Sequence, residues 1–220
     1  MDLTRALPYL LPALIGYAFG AIPFAYIIVK LVTGQDITQH GTGNVGSMNV
    51  RRTTGSWGWF AVNMLLDIGK GAAAVLLVRY WLSPAVGLDW RIASQLTVVM
   101  VVIGHDWPVS MYLITGKMHG GKGLAAGGGA LFALNMTYAL VGLFSALAFI
   151  AITRVLLVGQ LASGIVFLVY VALLRPEDTL FAAVLCALVV VKHAARVPGL
   201  VHGKEPTWNV TDERGRRNPG

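Results

Sequence analysis

Apolar residues run along this chain in long blocks separated by short polar stretches. The blocks cover about Leu7–Val32, Trp57–Trp81, Ile92–Ile103, Leu124–Ile152, Leu156–Leu174 and Leu180–Val191. A helix that crosses the hydrocarbon of a bilayer needs ~20 apolar residues, ~17 at the least. The pattern therefore predicts an all-α integral membrane protein with about seven transmembrane helices, some of them short. Pro176 separates the last two blocks. Between Ile103 and Leu124 the chain is Gly-rich and polar, and Asn135 interrupts the fourth block. No soluble domain, heptad run or internal repeat is visible. The reading is one polytopic membrane domain over 1–204, followed by a polar cytoplasmic tail, 205–220, that frays.

Composition narrows the class further. Charged residues make up 12% of the chain and hydrophobic residues 56%, with a mean hydropathy of +0.68. Soluble domains carry roughly 25% charged residues. This excludes an ordinary cytosolic domain, a disordered chain and a disulfide scaffold. Glycine is abundant, at 26 of 220 residues, and membrane helices use it for close packing. The single cysteine, Cys186, lies in an apolar block and has no intrachain partner. Asp2 and Arg5 lead into a block holding Pro8, Pro12 and Lys30, with no small-residue cleavage pattern, so it reads as a retained first span. The net charge of +7 does not point to nucleic acid, because the bases are scattered at the ends of apolar blocks. Arg214, Arg216 and Arg217 are too few for a nucleic-acid surface but suit anionic lipid.

The placement of those bases decides the span count. Leu124–Ile152 is too short for two full spans, which favours six helices. Charge favours seven. With a break near Asn135 and the N-terminus outside, the inner face holds Lys30, Arg51, Arg52, Lys117, Lys122, Arg154, Lys192, Arg196, Lys204, Arg214, Arg216 and Arg217. The outer face keeps Arg5, Arg79, Arg91 and Arg175, a ratio of 12 to 4. Lys70, inside the second span, is not counted. Six spans would erase this bias. Seven are expected, with at least one short helix shielded by its neighbours.

Three polar segments then share the inner face. The first, Gly34 to Arg52, contains Gly41-Thr42-Gly43-Asn44-Val45-Gly46 and ends on an arginine pair. Glycine lets backbone N–H groups form an anion-binding nest. Asn and Thr add neutral donors, and Arg52 adds a planar fork suited to phosphate. A merely flexible loop with anchoring arginines is the competing reading. The second segment joins Gly104-His105-Asp106-Trp107-Pro108 to Gly116-Lys117-Met118-His119-Gly120-Gly121-Lys122-Gly123. It mimics a nucleotide P-loop but has Gly123 where a magnesium-holding hydroxyl belongs, and no preceding strand. Glycines and a lysine at a helix mouth still favour phosphate; a snorkelling anchor is the alternative for Lys122. The third is Lys192-His193-Ala194-Ala195-Arg196, followed by Gly203-Lys204-Glu205. Asp67 and Lys70 lie three residues apart within the second span, with Asn63 on the same face. Ionisable groups there face the protein interior, either paired or lining a cavity. No metal-ligand set and no Gly-x-Ser-x-Gly elbow is present. The chemistry implied is the handling of two anionic groups, phosphates above all, beside the bilayer.

These segments resemble the acyl-phosphate-dependent glycerol-3-phosphate acyltransferases of bacterial membranes. The first motif of that family is matched by Gly41 to Gly46 with Asn49 and Arg52. The second is matched by Gly104-His105, Pro108-Val109 and Gly120 to Gly123, the third by His193 with Gly203 and Glu205. Asp67 with Lys70 and Leu161-Ala162-Ser163 match further family segments. The resemblance implies seven spans with the motifs cytoplasmic, in the plasma membrane of a bacterium. It also implies transfer of a fatty acyl group from acyl phosphate to the 1-hydroxyl of glycerol 3-phosphate, giving lysophosphatidic acid, with no cofactor and no metal. By the resemblance, Thr42, Gly43, Asn44, Asn49, Arg52, His105, Gly120, Gly121, Lys122 and Ser163 bind substrate or phosphate. Arg52, Lys122 and His193 carry the chemistry; Asp67, Lys70 and Glu205 support the pocket. His193 is the side-chain candidate for the base, and a substrate phosphate oxygen is the other.

The chain departs from the family pattern at Ala21 (usually Ser), Thr38 (usually Arg), Ser47-Met48 (usually Ala-Thr), Ala126 (usually Thr) and Arg196-Val197-Pro198 (usually Asn-Ile-Lys or Asn-Ile-Asn). A divergent paralogue with another acceptor is one alternative. A non-enzymatic anion transporter or channel is another, although it calls for polar residues threading several spans to the far face.

Overall fold

The computed structural model describes residues 7–205 and Thr207. All regular structure among them is helical. The chain divides into two compact units, Met1–Leu140 and Val141–Gly220. Among the described residues, six helical segments are long and apolar enough to cross a membrane: Leu7–Thr33, Trp57–Val86, Trp90–Thr115, Met136–Thr153, Leu156–Leu174 and Pro176–Val201. A shorter apolar helix, Leu124–Leu134, lies between the third and fourth. Leu14, Phe144, Ile152 and Leu173 are among the many large apolar side chains left on the surface, as lipid contact requires.

In the first unit, the first block is two helices rather than one, α1 (Leu10–Gly20) and α2 (Phe24–Thr33). Pro23 has no N–H to continue the ladder, so the helix opens at Ala21–Pro23. Gly34, with φ of 71°, ends α2 in the left-handed conformation that glycine adopts without penalty. After the first polar segment come α3 (Ser47–Thr54) and α4 (Trp57–Leu77), the latter started by the Ser56 hydroxyl accepting from the Trp59 N–H. A π-helical stretch, Val78–Leu82, extends α4. The third block is longer than its apolar core suggests: α5 covers Trp90–Asp106. Asp89 caps its start, and the Thr97 hydroxyl returns to the Ala93 carbonyl at 2.8 Å, so the polar residues are absorbed inside the helix. Pro108 then opens a second break, and α6 (Val109–Thr115) follows within what was expected to be loop.

The expected interruption at Asn135 is present. It separates α7 (Leu124–Leu134) from α8 (Met136–Thr153). The Asn135 side chain accepts from the Thr137 N–H at 2.9 Å. Arg79 donates to the carbonyls of Ala133 and Leu134, both at 3.3 Å. The break thus satisfies groups that a helix end otherwise leaves open, with a cation at the negative end of α7. At 1.5 Å per residue α7 is only about 16 Å long, half the ~30 Å hydrocarbon thickness. Its Ala126, Gly127, Gly129 and Ala130 are buried. Cβ atoms at Gly71 of α4 and Gly129 of α7 would strike the backbone of Ala126 and Ile68 respectively, so these two helices touch backbone to backbone. The pair α1–α5 does the same through Gly16, Gly20 and Gly104.

The second unit holds the rest of α8 with α9 (Leu156–Leu174), α10 (Thr179–His193) and a terminal turn, α11 (Val197–Val201). Gly164 of α9 lies against Cys186 and Val189 of α10. Phe167 and Phe181 meet edge to face with centroids 6.3 Å apart.

Candidate active site

Two helix breaks open the first unit beneath its Gly-rich loops, and polar side chains join them. The Tyr17 hydroxyl donates to the Trp107 carbonyl at 2.8 Å and accepts from the Val109 N–H at 3.1 Å. Ser110 donates to the Ala21 carbonyl. Lys70 donates to the Ile22 carbonyl at 2.8 Å. A small recess between the breaks is walled by Ile22, Pro23, Phe24, Val45, Lys70 and His105.

The first loop is held from below and within. Ile37, Val45 and Val50 pack with Ala25, Ile28, Val29 and Met111 in one apolar floor. Asn49, 1% exposed, organises the turn above it. Its Oδ1 accepts from the Thr42 N–H at 3.1 Å, and its Nδ2 donates to the carbonyls of Ile37 (3.2 Å), His40 (3.0 Å) and Asn44 (2.9 Å). Asn49, expected among the substrate ligands, has both ends of its amide engaged by the loop backbone. Asp36 ties in Thr38 through the backbone N–H at 2.9 Å and the hydroxyl at 2.8 Å. Gly41 and Gly43 have φ of 58° and 68°, and a Cβ at Gly41 would run into the Asn49 amide. The two arginines separate in role. Arg51 stacks on Trp57, 3.8 Å from the ring centroid. Arg52 is exposed and passes over Gly41, with Thr42 exposed nearby.

The second loop lies flat on the end of α5. Gly120, Gly121 and Gly123 are buried. A Cβ at Gly120 would strike the Asp106 carbonyl, and one at Gly121 the His105 ring. The Gly121 N–H donates to the His105 carbonyl at 3.0 Å. These glycines, expected as phosphate ligands, let the loop pack closely on α5, and the Gly121 amide is committed to the His105 carbonyl. Lys122 stands half-buried at the mouth of α7. The helix-mouth lysine expected from sequence is in place.

Asp67 and Lys70 pair, at 2.9 Å. Asn63 donates to Asp67 Oδ2 at 3.0 Å and to the Ser47 hydroxyl at 2.9 Å. Lys70 Nζ lies 3.0 Å from His105 Nδ1. Of the two readings for the pair, mutual pairing and a cavity wall, both hold.

In the second unit, His193 is fully buried at the end of α10, with Nδ1 2.7 Å from the Val189 carbonyl. Ser163 donates to the Gln160 carbonyl at 2.7 Å. Arg196 grips Glu205 with two contacts, Nε to Oε1 at 3.3 Å and Nη2 to Oε2 at 2.5 Å. A carboxylate expected near the pocket is thus tied to a base that departs from the family pattern. Among the described residues no group of three or more His, Cys, Asp or Glu is placed to hold a metal.

The glycerol-3-phosphate acyltransferase family model matches residues 10–203. The chain belongs to this family. A glycerol-3-phosphate acyltransferase of Synechocystis sp. is 37% identical over 201 residues, covering 88% of this chain and 87% of that one. One from Clostridioides difficile is 33% identical over 198 residues, covering 90% and 94%. The crystal structure of PlsY (YgiH), an integral membrane glycerol 3-phosphate acyltransferase, in its glycerol 3-phosphate form has a TM-score of 0.77 at 26% identity, covering 94% of this chain and 98% of that one. Its lysophosphatidic acid form gives 0.76 at 25% identity, covering 94% and 99%.

Within this acyltransferase, several site-building residues carry no signal in the sequence. Tyr17 and Ser110 sit in apolar surroundings and act only because two helix breaks come together. Arg79 looks like an interfacial anchor, yet its partners are 54 and 55 residues away.

Proposed function

We propose that this protein transfers a fatty acyl group from acyl phosphate to the 1-hydroxyl of glycerol 3-phosphate, releasing inorganic phosphate and lysophosphatidic acid. The observation that carries the reading is the pair of Gly-rich loops on one unit of a membrane-integral family member, one presenting Thr42 and Arg52, the other Lys122 at a helix mouth. Two phosphate-bearing substrates call for two such cationic places.

The acyl donor is already activated, so the reaction needs no enzyme nucleophile. The acceptor hydroxyl oxygen attacks the acyl carbonyl carbon, the bond from that carbon to the phosphate oxygen breaks, and phosphate leaves with the electron pair. The hydroxyl proton passes to a base. Arg52, with Thr42 and Asn44, would hold one phosphate, and Lys122 would neutralise the other and the oxyanion. Gly43, Gly120, Gly121 and Asn49 would act by shaping the loops. We assign His193 as the side-chain base. The Val189 carbonyl only accepts, so Nδ1 carries the hydrogen and Nε2 of the neutral ring is the accepting nitrogen. A phosphate oxygen of the acceptor is the alternative base. Ser163 would help line the site. The loops would face the cytoplasm of a bacterium, with the N-terminus outside.

The test is purified protein in proteoliposomes supplied with acyl phosphate and labelled glycerol 3-phosphate. Lysophosphatidic acid and phosphate formed one for one are expected. Phosphate flux across the vesicle without acyl transfer would establish the transporter reading instead.

A further inference from the structure

The pair buried in α4 does more than neutralise itself. Contacts run without a gap from the first loop to the second: Ser47, at the start of α3, to Asn63 (2.9 Å), Asn63 to Asp67 (3.0 Å), Asp67 to Lys70 (2.9 Å), and Lys70 to His105 (3.0 Å). The His105 ring then lies against Gly121, one residue before Lys122. Asn63, Asp67, Lys70 and His105 are all at most 7% exposed. Lys70 is the hub, because an ammonium has three hydrogens and no acceptor. It has three acceptors within reach: Asp67 Oδ1 at 2.9 Å, the Ile22 carbonyl at 2.8 Å and His105 Nδ1 at 3.0 Å. With Lys70 charged, His105 Nδ1 accepts and the ring proton sits on Nε2, the edge that faces Gly121. The alternative, an Nδ1–H bonded to Asp67, is too long at 3.7 Å.

We infer that Lys70 is a positioning residue for acyl transfer: with Asp67, Asn63 and His105 it forms a buried strut that sets the distance between the two phosphate-handling loops. The inference rests on the acyltransfer reading for its kinetic consequence but not for its geometry. Each loop has its own internal bracing, Asn49 in the first and the Gly121–His105 backbone bond in the second. Each would keep its own phosphate without the strut. What would be lost is the alignment of hydroxyl and carbonyl, and a misplacement of about 1 Å costs on the order of a hundredfold in rate.

The variant to make is Asp67→Asn with Lys70→Met, which removes both charges together and leaves no buried ion alone. The expected result is a turnover lowered about thirtyfold or more with KM for each substrate within about threefold of wild type. A double-mutant cycle with Gly121→Ala, which pushes on the His105 ring, should be strongly non-additive. Unchanged turnover, a raised KM at unchanged kcat, or simple additivity would overturn the inference. A second measurement needs no variant: nitrogen NMR of histidine-labelled wild-type protein should show His105 unprotonated at Nδ1 and protonated at Nε2. An Nδ1–H tautomer or an imidazolium would end the proposal even if the variant failed to fold. If wild-type protein makes no lysophosphatidic acid, the acyltransfer reading fails while the tautomer still reports on the strut.

Discussion

Single residues in the two loops divide into those proposed to touch a substrate and those that hold the loop. Lys122 is half-buried at a helix mouth, and among the described residues no other lysine is in that position. Lys122→Ala should lower turnover more than a hundredfold, the equivalent of ~3 kcal/mol for a charge-assisted contact to a desolvated phosphate. The melting temperature should barely move, so activity and thermal unfolding in the same detergent check it together. Asn49 should behave oppositely. Its amide braces Ile37, His40, Thr42 and Asn44 from a site closed to solvent. Asn49→Ala strands several polar groups at ~1–3 kcal/mol for each one left without a partner. It should lower activity and the unfolding temperature together, and an unchanged melting curve would show that the loop does not depend on this brace.

Among the helices, glycine position decides stability. Gly69 and Gly71 are two residues apart on α4 but face different surroundings. A Cβ on Gly69 meets nothing within 4 Å, whereas one on Gly71 runs into the backbone of Ala126. Gly69→Ala should be neutral or stabilising by up to about 1 kcal/mol, the usual helix-propensity gain. Gly71→Leu should force α4 and α7 apart and leave the short helix without its shield. Yield of folded protein and protease resistance of the two variants, side by side, test this; equal behaviour would mean that α7 is not held by backbone contact.

Across the whole protein, two expectations go beyond any one helix. The ratio of 12 bases to 4 predicts that reporter fusions place the N-terminus outside and the C-terminus inside. Both ends lie outside the described residues, so the test is biochemical: reporters on one side would remove the seven-span arrangement. The second concerns the donor. Two cationic loops match two phosphates, and an acyl-CoA thioester carries no phosphate next to its reacting carbonyl. Activity with acyl phosphate and little with acyl-CoA at equal concentration is expected. Equal rates would remove the role of Lys122 at the leaving group.

Much of this was written in the one-dimensional pattern. Long apolar blocks require helices, because only internally bonded backbone survives in lipid, and the bias of the bases required a break that Asn135 supplies. The loops were legible because glycines, small donors and lone bases are costly beside a membrane without a use. The departures from expectation arise from contacts distant in sequence. Pro23 and Pro108 could each be read as a break, but their stitching by Tyr17, Ser110 and Lys70 joins residues 48 to 92 positions apart. Asn49 resembled a ligand because its residue type suits one. Only the folded loop shows its amide engaged by the backbone. Gly120 and Gly121 resembled a phosphate cradle for the same reason, and it is the end of α5 that occupies the space they leave. Residue type determined which groups are able to meet a phosphate. Which of them remain available to do so was decided by tertiary packing, because a polar group buried beside a backbone carbonyl or amide is satisfied there first.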